Sequence, residues 1–380
     1  MTAYSHDELY NCYVNSEANS AFESSEISKE ILAKVKGSYS CKLYTPSLFI
    51  AIALGIVTVI AVIFTGFLVW LLANADSSTG ITFICLLMTL ISYVLLEWMV
   101  KRKKYFNAGV DNALMLLVLG FLAGAILGSV DNPPWIFFNG LMMVVSLWLS
   151  IRFADSLMTI VSGSFFLVFC FLLILKTGNA AIIYFPFGMM GIIAILYFGV
   201  AKLKKHVSFV YEKCISVLTV FLLLAFYIEG NYWIVNELQS VSYTTKAPFA
   251  FGWLFWIFTY VIPVIYIVYG IMKKDLLHIR SGIILVAATV FTYKYYHDLL
   301  PLEFEMLLVG LLLVGISYYL IKWLSPSRNG FTSEATSSQP AWKNVEALII
   351  AETMGGDKPG EPDQIFSGGS GGGGGATGDF

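Results

Sequence analysis

Residues 101–155 read KRKKYFNAGVDNALMLLVLGFLAGAILGSVDNPPWIFFNGLMMVVSLWLSIRFAD, two apolar runs of membrane-spanning length joined by an Asp-Asn-Pro-Pro turn. The first run carries Gly120, Gly124 and Gly128, and small residues at every fourth position let a neighbouring helix approach closely. Asp111 lies nearer the basic end of the same run. At about 100° per residue it falls on the face opposite Gly120. We therefore expect this helix to contact protein on both sides and to occupy the centre of a bundle.

The composition predicts an all-α, polytopic helical membrane protein. Hydrophobic residues make up 58% of the 380-residue chain and charged residues only 13%, whereas soluble domains carry about 25% charged residues. Apolar runs of transmembrane-helix length recur from Leu48 to Leu324. The strands of a β-barrel would instead alternate at period two. Because the chain has no basic domain, nucleic-acid binding is not predicted.

Ten apolar runs predict ten transmembrane helices and divide the chain into three parts. The helices are expected at 48–73, 81–100, 106–130, 135–151, 157–175, 182–200, 208–228, 248–272, 281–297 and 304–324. Residues 1–46 are expected to form a small helical head, 47–324 the transmembrane bundle and 325–380 a flexible tail. The head shows no cleavable signal peptide, so the first span is expected to act as an uncleaved anchor.

The tail contains a predicted short amphipathic helix at 340–354, followed by a glycine-rich end. Its apolar face carries Trp342, Val345, Leu348 and Ile349. A helix that lies on a membrane surface usually carries Lys or Arg on its polar face. Here the single positive charge of Lys343 is outweighed by Glu346 and Glu352. The sequence therefore predicts that this helix binds a groove in a protein rather than anionic lipid.

The distribution of basic residues predicts the orientation of the chain. Twenty of the 23 Lys and Arg residues fall in the head, in alternate loops or on the tail side, and three fall on the other side. Cytoplasmic loops carry such an excess. Both termini and the loops at 101–105, 201–207 and 273–280 are therefore expected in the cytoplasm, with the bundle in the inner-membrane bilayer.

Known catalytic patterns are missing from the sequence. It has no HExxH, GxSxG, Walker A or GxGxxG motif, so no catalytic residue, cofactor or metal ligand is predicted, and an enzyme is the less favoured class. The four histidines are far apart in the chain. The five cysteines, which we expect to be free thiols or small buried hydrophobes, show no ligand spacing. They are Cys12, Cys41, Cys85, Cys170 and Cys214.

One candidate polar group comprises Glu97, Asp111, Arg152 and Asp155, near the predicted cytoplasmic ends of spans two to five. A structural interpretation pairs Glu97 with Lys101, makes Asp155 a helix cap and lets Arg152 extend to the lipid headgroups. The functional interpretation is an ion or proton site, because ionisable groups within a membrane are often functional.

A second candidate polar group lies on the predicted external side and comprises Glu229, Lys294, His297, Asp298, Glu303 and Glu305. Many aromatic residues accompany it in the sequence, so the structural interpretation is an aromatic belt with solvated charges at helix ends. The alternative is a ligand or cation site at the outer mouth of the bundle. Glu229 is followed directly by Gly230, and a carboxylate beside a flexible backbone could line a pocket.

The overall layout resembles an uncharacterised family of bacterial polytopic membrane proteins. The residues that carry the resemblance are LYTPSLF at 43–49, GVDNAL at 109–114, RFAD at 152–155 and the tail FSGGSGGGGGATGDF at 366–380. The resemblance implies the membrane architecture and no activity. Two functions are therefore carried forward: an accessory or scaffold protein with a partner-binding tail, and a transporter or channel for a small solute or ion that uses the polar groups.

Overall fold

The computed structural model describes residues 2–23, 27–74, 77–129, 133–177, 181–242 and 251–296, with scattered residues between 304 and 325. Across this part of the chain the regular secondary structure is helical, which confirms the predicted all-α class. An isolated β-bridge pairs Tyr44 with Tyr105. The predicted tail helix at 340–354 and the glycine-rich end lie outside the described residues.

The head contains two helices, α1 (His6–Glu23) and α2 (Lys29–Ser38). Helix α2 begins where the Ser28 hydroxyl accepts a hydrogen bond from the backbone N–H of Ile31, at 3.4 Å, and so satisfies one of the free donors of the first turn. The helical head predicted for 1–46 is thus present.

A disulfide joins Cys12 on α1 to Cys41, which follows α2. The Cα atoms of the two residues are 4.7 Å apart although 29 positions separate them in the sequence. The expectation that these two cysteines are free is wrong for the oxidised form that the structure describes, because the packing of α1 against α2 brings them together without any signal in their spacing. Cys85, Cys170 and Cys214 are free, as expected.

Nine helices in the described part of the chain are long and apolar enough to cross a membrane. They follow the first nine predicted runs to within a few residues. In chain order, including the short α10, the helices are α3 (Leu48–Ala73), α4 (Ser78–Trp98), α5 (Val110–Ser129), α6 (Trp135–Phe153), α7 (Ser156–Leu175), α8 (Ala181–Leu203), α9 (Glu212–Gly230), α10 (Tyr232–Ser242), α11 (Gly252–Lys273) and α12 (Leu276–Tyr296). The tenth predicted run, 304–324, lies largely outside the described residues; those described between 304 and 323 are helical.

The head packs on the end of the bundle that carries the basic loops at 101–104, 202–205 and 273–274, which we call the basic face. The backbone N–H of Tyr44 donates a hydrogen bond to the carbonyl of Lys104 at 2.8 Å. A turn of π-helix, Met99–Lys103, extends α4 onto the same face. The head and the basic loops therefore form one layer over the membrane helices.

Helix α5 has the largest buried share of the described spans and packs against α3, α4 and α6. Its side chains Leu114, Met115 and Val118 are all buried. Helix α3 is the opposite case, because Gly66 is its one fully buried residue and many of its apolar side chains are exposed. Helix α5 therefore lies at the centre of this half of the bundle, as the sequence predicted.

The glycine stripe of α5 has less contact than expected. A Cβ added at Gly124 would lie 3.5 Å from the sulfur of Cys85 on α4, and one at Gly128 would lie 4.0 Å from Ile81. A Cβ at Gly120 would meet no described atom within 4 Å outside its own helix. The described residues therefore include no close helix neighbour at Gly120. The face of α5 that packs into the core carries the large side chains, and the glycine stripe lies on another face.

A close backbone contact occurs instead just before α5, at Gly109. This residue has a φ of +81°, and a Cβ added to it would lie only 1.8 Å from the carbonyl oxygen of Ala51 on α3. On the other side of the contact, a Cβ at Gly55 would lie 3.2 Å from the Gly109 oxygen. Glycine is required here both for its conformation and for its lack of a side chain.

A buried hydrogen-bond network joins α9, α10 and α12 near the face opposite the head. The Tyr227 hydroxyl lies 2.9 Å from that of Thr289, and the amide of Asn231 donates to Tyr227 and to Thr292, each at 2.9 Å. The Asn231 oxygen accepts a bond from the backbone N–H of Trp233 at 3.0 Å and so begins α10, a helix that the sequence did not predict.

Candidate functional site

The first predicted polar group lies on the basic face, where Arg152 on α6 reaches Glu97 on α4. Its Nε donates to Glu97 Oε1 at 3.0 Å and its Nη2 donates to Oε2 at 3.3 Å. This is the bidentate pairing that a guanidinium makes with a carboxylate. Lys101 pairs with the same carboxylate at 2.8 Å, as expected from their spacing. Arg152 therefore links α4 to α6 through the Glu97 carboxylate.

The two aspartates of the group act as local caps. Asp155 Oδ1 accepts the backbone N–H of Met158 at 2.7 Å and begins α7, as predicted. Asp111 Oδ1 accepts the backbone N–H of Ala108 at 2.9 Å and closes the turn before α5. Burial holds the pKa of Asp155 above its ordinary value, and its hydrogen bond from Met158 offsets only part of that rise.

The N-terminal residues of the head cover this group. The backbone N–H of Ala3 donates to the carbonyl of Arg152 at 2.8 Å. Tyr4 is buried and packs edge-on against Phe106. Burial, followed by the nearby carboxyl groups of Asp111 and Asp155, raises the pKa of Tyr4. The aspartates therefore lie under a neutral tyrosine.

Further along the head, Glu8 pairs with Lys104, and the rings of His6 and Tyr10 pack edge-on against Phe209, which precedes α9. These contacts extend the head across the basic face from α4 to α9. The cover over the first polar group is therefore held at several points rather than by Tyr4 alone.

A cleft of about 770 Å³ lies between the head and the basic face. One wall is formed by α1 and by residues 36–45; the other is formed by 106–107 and 209–213. Its lining mixes aromatic rings and amides with two lysines, Lys36 and Lys213, and includes both cysteines of the disulfide. The cleft therefore opens on the basic face, beside the head. Sequence reasoning missed it because both walls are assembled from segments that are distant in the chain.

The second predicted polar group is only partly described. Glu229, near the end of α9, has a buried Oε2 with no hydrogen-bond partner among the described residues. Lys294 is half-buried on α12. The other members of the group lie outside the described residues: His297, Asp298, Glu303 and Glu305. The neighbouring network around Asn231 is a different set of side chains, and it is neutral.

A smaller pocket, of about 290 Å³ and mainly apolar, lies between α8, α9, α11 and α12 and was not predicted. His278 is buried beside it, with Nε2 2.8 Å from the Tyr197 hydroxyl and Nδ1 2.9 Å from Asp275 Oδ2. The rings of Tyr266 and Tyr269 pack against the imidazole. The spacing of Asp275 and His278, three residues apart, was a usable signal, whereas Tyr197 lies 81 residues away. The pocket suits an apolar ligand that has a single polar end.

Within the described ranges, no group of three or more His, Cys, Asp or Glu side chains is placed to hold a metal ion. Comparisons with protein-family models, curated proteins and solved structures find no match to the chain. Function is therefore inferred from the geometry of the basic face, the cleft and the two predicted polar groups.

Proposed function

We propose that this protein is an accessory or scaffold protein of a bacterial inner membrane, with both termini in the cytoplasm and a partner-binding segment at 340–354. The membrane location has direct support in the nine spanning helices of the described part. The basic face supports the orientation, because the loops that carry most of the Lys and Arg gather with the head at one end.

The observation that carries the proposal is the state of the charged group on the basic face. Glu97 and Arg152 satisfy one another, and Asp111 and Asp155 bind backbone N–H groups. Tyr4 and the head lie over them. A translocated ion needs groups that can exchange partners and a route to reach them. These charges instead connect helices to each other and to the head.

A site-specific photo-crosslinking experiment tests the proposal. The sequence places Val345 on the apolar face of the predicted tail helix and Lys343 on its polar face, which makes them a matched pair. We expect a crosslinker at 345 to give one discrete protein adduct in intact membranes and one at 343 to give much less. In a pull-down with the full chain, deleting 340–354 should lose the partner, whereas deleting 366–380 should leave both the pull-down and the crosslink from 345 intact. Equal labelling from both positions, or adducts with lipid alone, would contradict the proposal.

A transporter is the second candidate, and the buried oxygen of Glu229 favours it. A carboxylate oxygen inside a membrane span that has no hydrogen-bond partner in the described part of the chain is costly unless it binds a proton or a cation. Proton flux into liposomes loaded with a pH-sensitive dye would test this candidate. Wild-type protein should then acidify the lumen under an imposed gradient, and Glu229→Gln should not. Equal flux from both proteins, or flux no faster than in empty liposomes, would exclude Glu229 from proton transport.

A further inference from the structure

The cysteine pair of the head differs from the other cysteines in both position and surroundings. Cys12 and Cys41 line the cleft on the basic face and are partly exposed, so small reagents can reach them from solvent. The three free cysteines lie on membrane helices, at Cys85, Cys170 and Cys214. Within the described residues, a thiol reagent or oxidant in the aqueous phase therefore meets the head pair first.

The surroundings of the pair favour thiol chemistry. Lys36 and Lys213 line the same cleft, and nearby cations stabilise a thiolate, which is the reactive form of cysteine. The Cα separation of 4.7 Å lies within the range that a disulfide spans. In the oxidised head the two backbones therefore lie at an ordinary disulfide separation.

The compartment decides whether such a bond persists. Disulfides are stable in secreted proteins and rare in the cytosol, where thiols are kept reduced. The inference rests on the cytoplasmic orientation proposed above, although not on partner binding by the tail. On that side of the membrane, a solvent-accessible pair is expected to be a dithiol at rest.

We propose that Cys12 and Cys41 form a reversible redox switch that reacts with peroxides. One thiolate attacks the peroxide oxygen, which breaks the O–O bond and yields a sulfenic acid while the leaving oxygen takes up a proton. The second sulfur then attacks the sulfenic sulfur and releases water. With hydrogen peroxide the sum is two thiols and one H₂O₂ giving one disulfide and two H₂O. A cytosolic dithiol reductant reverses the step by thiol–disulfide exchange.

The switch acts on the wall of the cleft. Residues 39–41 contact α1 through a hydrogen bond from Asn15 to the Tyr39 carbonyl and a ring contact between Tyr10 and Tyr39. A few positions later, Tyr44 pairs with the loop after α4. Oxidation adds a covalent link between this segment and α1. The oxidised head therefore holds the cleft in one shape, whereas the reduced head holds it through weaker contacts.

Counting free thiols in intact cells tests the proposal. Cells expressing the full chain are quenched in acid, denatured and treated with a polyethylene-glycol maleimide, which adds one resolvable mass step per thiol. We expect five additions in unstressed cells, three shortly after a pulse of hydrogen peroxide, and five again after recovery. Cys12→Ser should show four additions throughout, and Cys85→Ser should shift every value down by one.

Three additions before the pulse would identify a constitutive disulfide and overturn the proposal. Five additions after the pulse would overturn it equally. Tryptic cleavage of the purified full-length protein provides the readout on the cleft, because Lys34, Lys36 and Lys42 lie in or beside its wall. Cleavage there should be several-fold slower in the oxidised form, and Cys41→Ser should remove the difference. Equal rates in both forms would show that the bond does not control the wall. Neither measurement involves residues 340–354, so a failure here is distinct from a failure of the scaffold proposal.

Discussion

Replacing Gly109 with alanine should destabilise the bundle by about 2–5 kcal/mol. The positive φ of +81° disfavours any side chain, at about 1–2 kcal/mol for a left-handed residue. The new Cβ would also lie 1.8 Å from the Ala51 oxygen, and overpacking of this kind adds about 1–3 kcal/mol. The contact is with backbone, so α3 must move away from the start of α5 to relieve it.

Two further variants make the reasoning specific. Ala51→Gly should not rescue Gly109→Ala, because it removes a methyl group and leaves the clashing carbonyl in place. Gly120→Ala is the matched control: it adds the same methyl group to a helical position with no described neighbour within 4 Å. It should leave stability unchanged or raise it by about 0.5–1 kcal/mol, the usual gain over glycine inside a helix.

The free energy of unfolding can be measured in mixed micelles by titration with SDS, with helix loss and a proximity label between α3 and α5 as separate probes. The label should report separation of α3 at lower SDS in Gly109→Ala than in wild type, and at the same SDS or higher in Gly120→Ala. Wild-type stability of Gly109→Ala, or an equal loss in Gly120→Ala, would refute the argument.

Three other perturbations follow from the basic face and from α12. Asp155→Asn should keep the cap of α7 and remove a buried charge. Because burial raises the folded pKa of Asp155, the contribution of this group to stability is present at low pH and lost as pH rises through that pKa, so the variant should flatten the slope of unfolding free energy against pH above about pH 4. Asp155→Ala should lose the cap and with it about 0.5–2 kcal/mol of stability. Arg152→Ala should cost about 1–3 kcal/mol, since it leaves the half-buried Glu97 carboxylate with only Lys101 and the Tyr93 hydroxyl as partners. A double-mutant cycle with Glu97→Gln should show coupling, and additivity would contradict the pairing. Gly282→Ala should lower the thermal midpoint in detergent, because its Cβ would lie 3.1 Å from backbone atoms of α11, and an unchanged midpoint would show that the two helices can separate freely.

The membrane helices could be predicted from the sequence because hydropathy is a local property. The first predicted span, 48–73, has the same bounds as α3, and the errors elsewhere fall at helix ends. Those ends are set by contacts that hydropathy does not record. Helix α5 begins at Val110 rather than at 106 because the turn before it is fixed by the Asp111 cap and the close contact at Gly109.

The candidate sites were less accessible to sequence reasoning, because they depend on partners from distant segments. The sequence placed Arg152 near Glu97 but offered no reason to join α4 to α6 through them. The pairing of Cys12 with Cys41 likewise needs the packing of two helices. The glycine stripe identified a face of α5 without identifying a neighbour, whereas the close contact at Gly109 lay inside the GVDNAL motif and within the predicted span 106–130.

The contacts of the head also fix an order of events during synthesis. The head leaves the ribosome well before the groups that it packs against, which are Lys104, Arg152 and Phe209. At about 5–20 residues per second, the wait between α1 and Phe209 is roughly 10–40 s. Phe106, which packs against Tyr4, is available after two spans, but Arg152 and Asp155 follow only after four. A nascent chain stopped before residue 152 should therefore expose its N-terminus to proteases and chaperones, and a longer one should withdraw it.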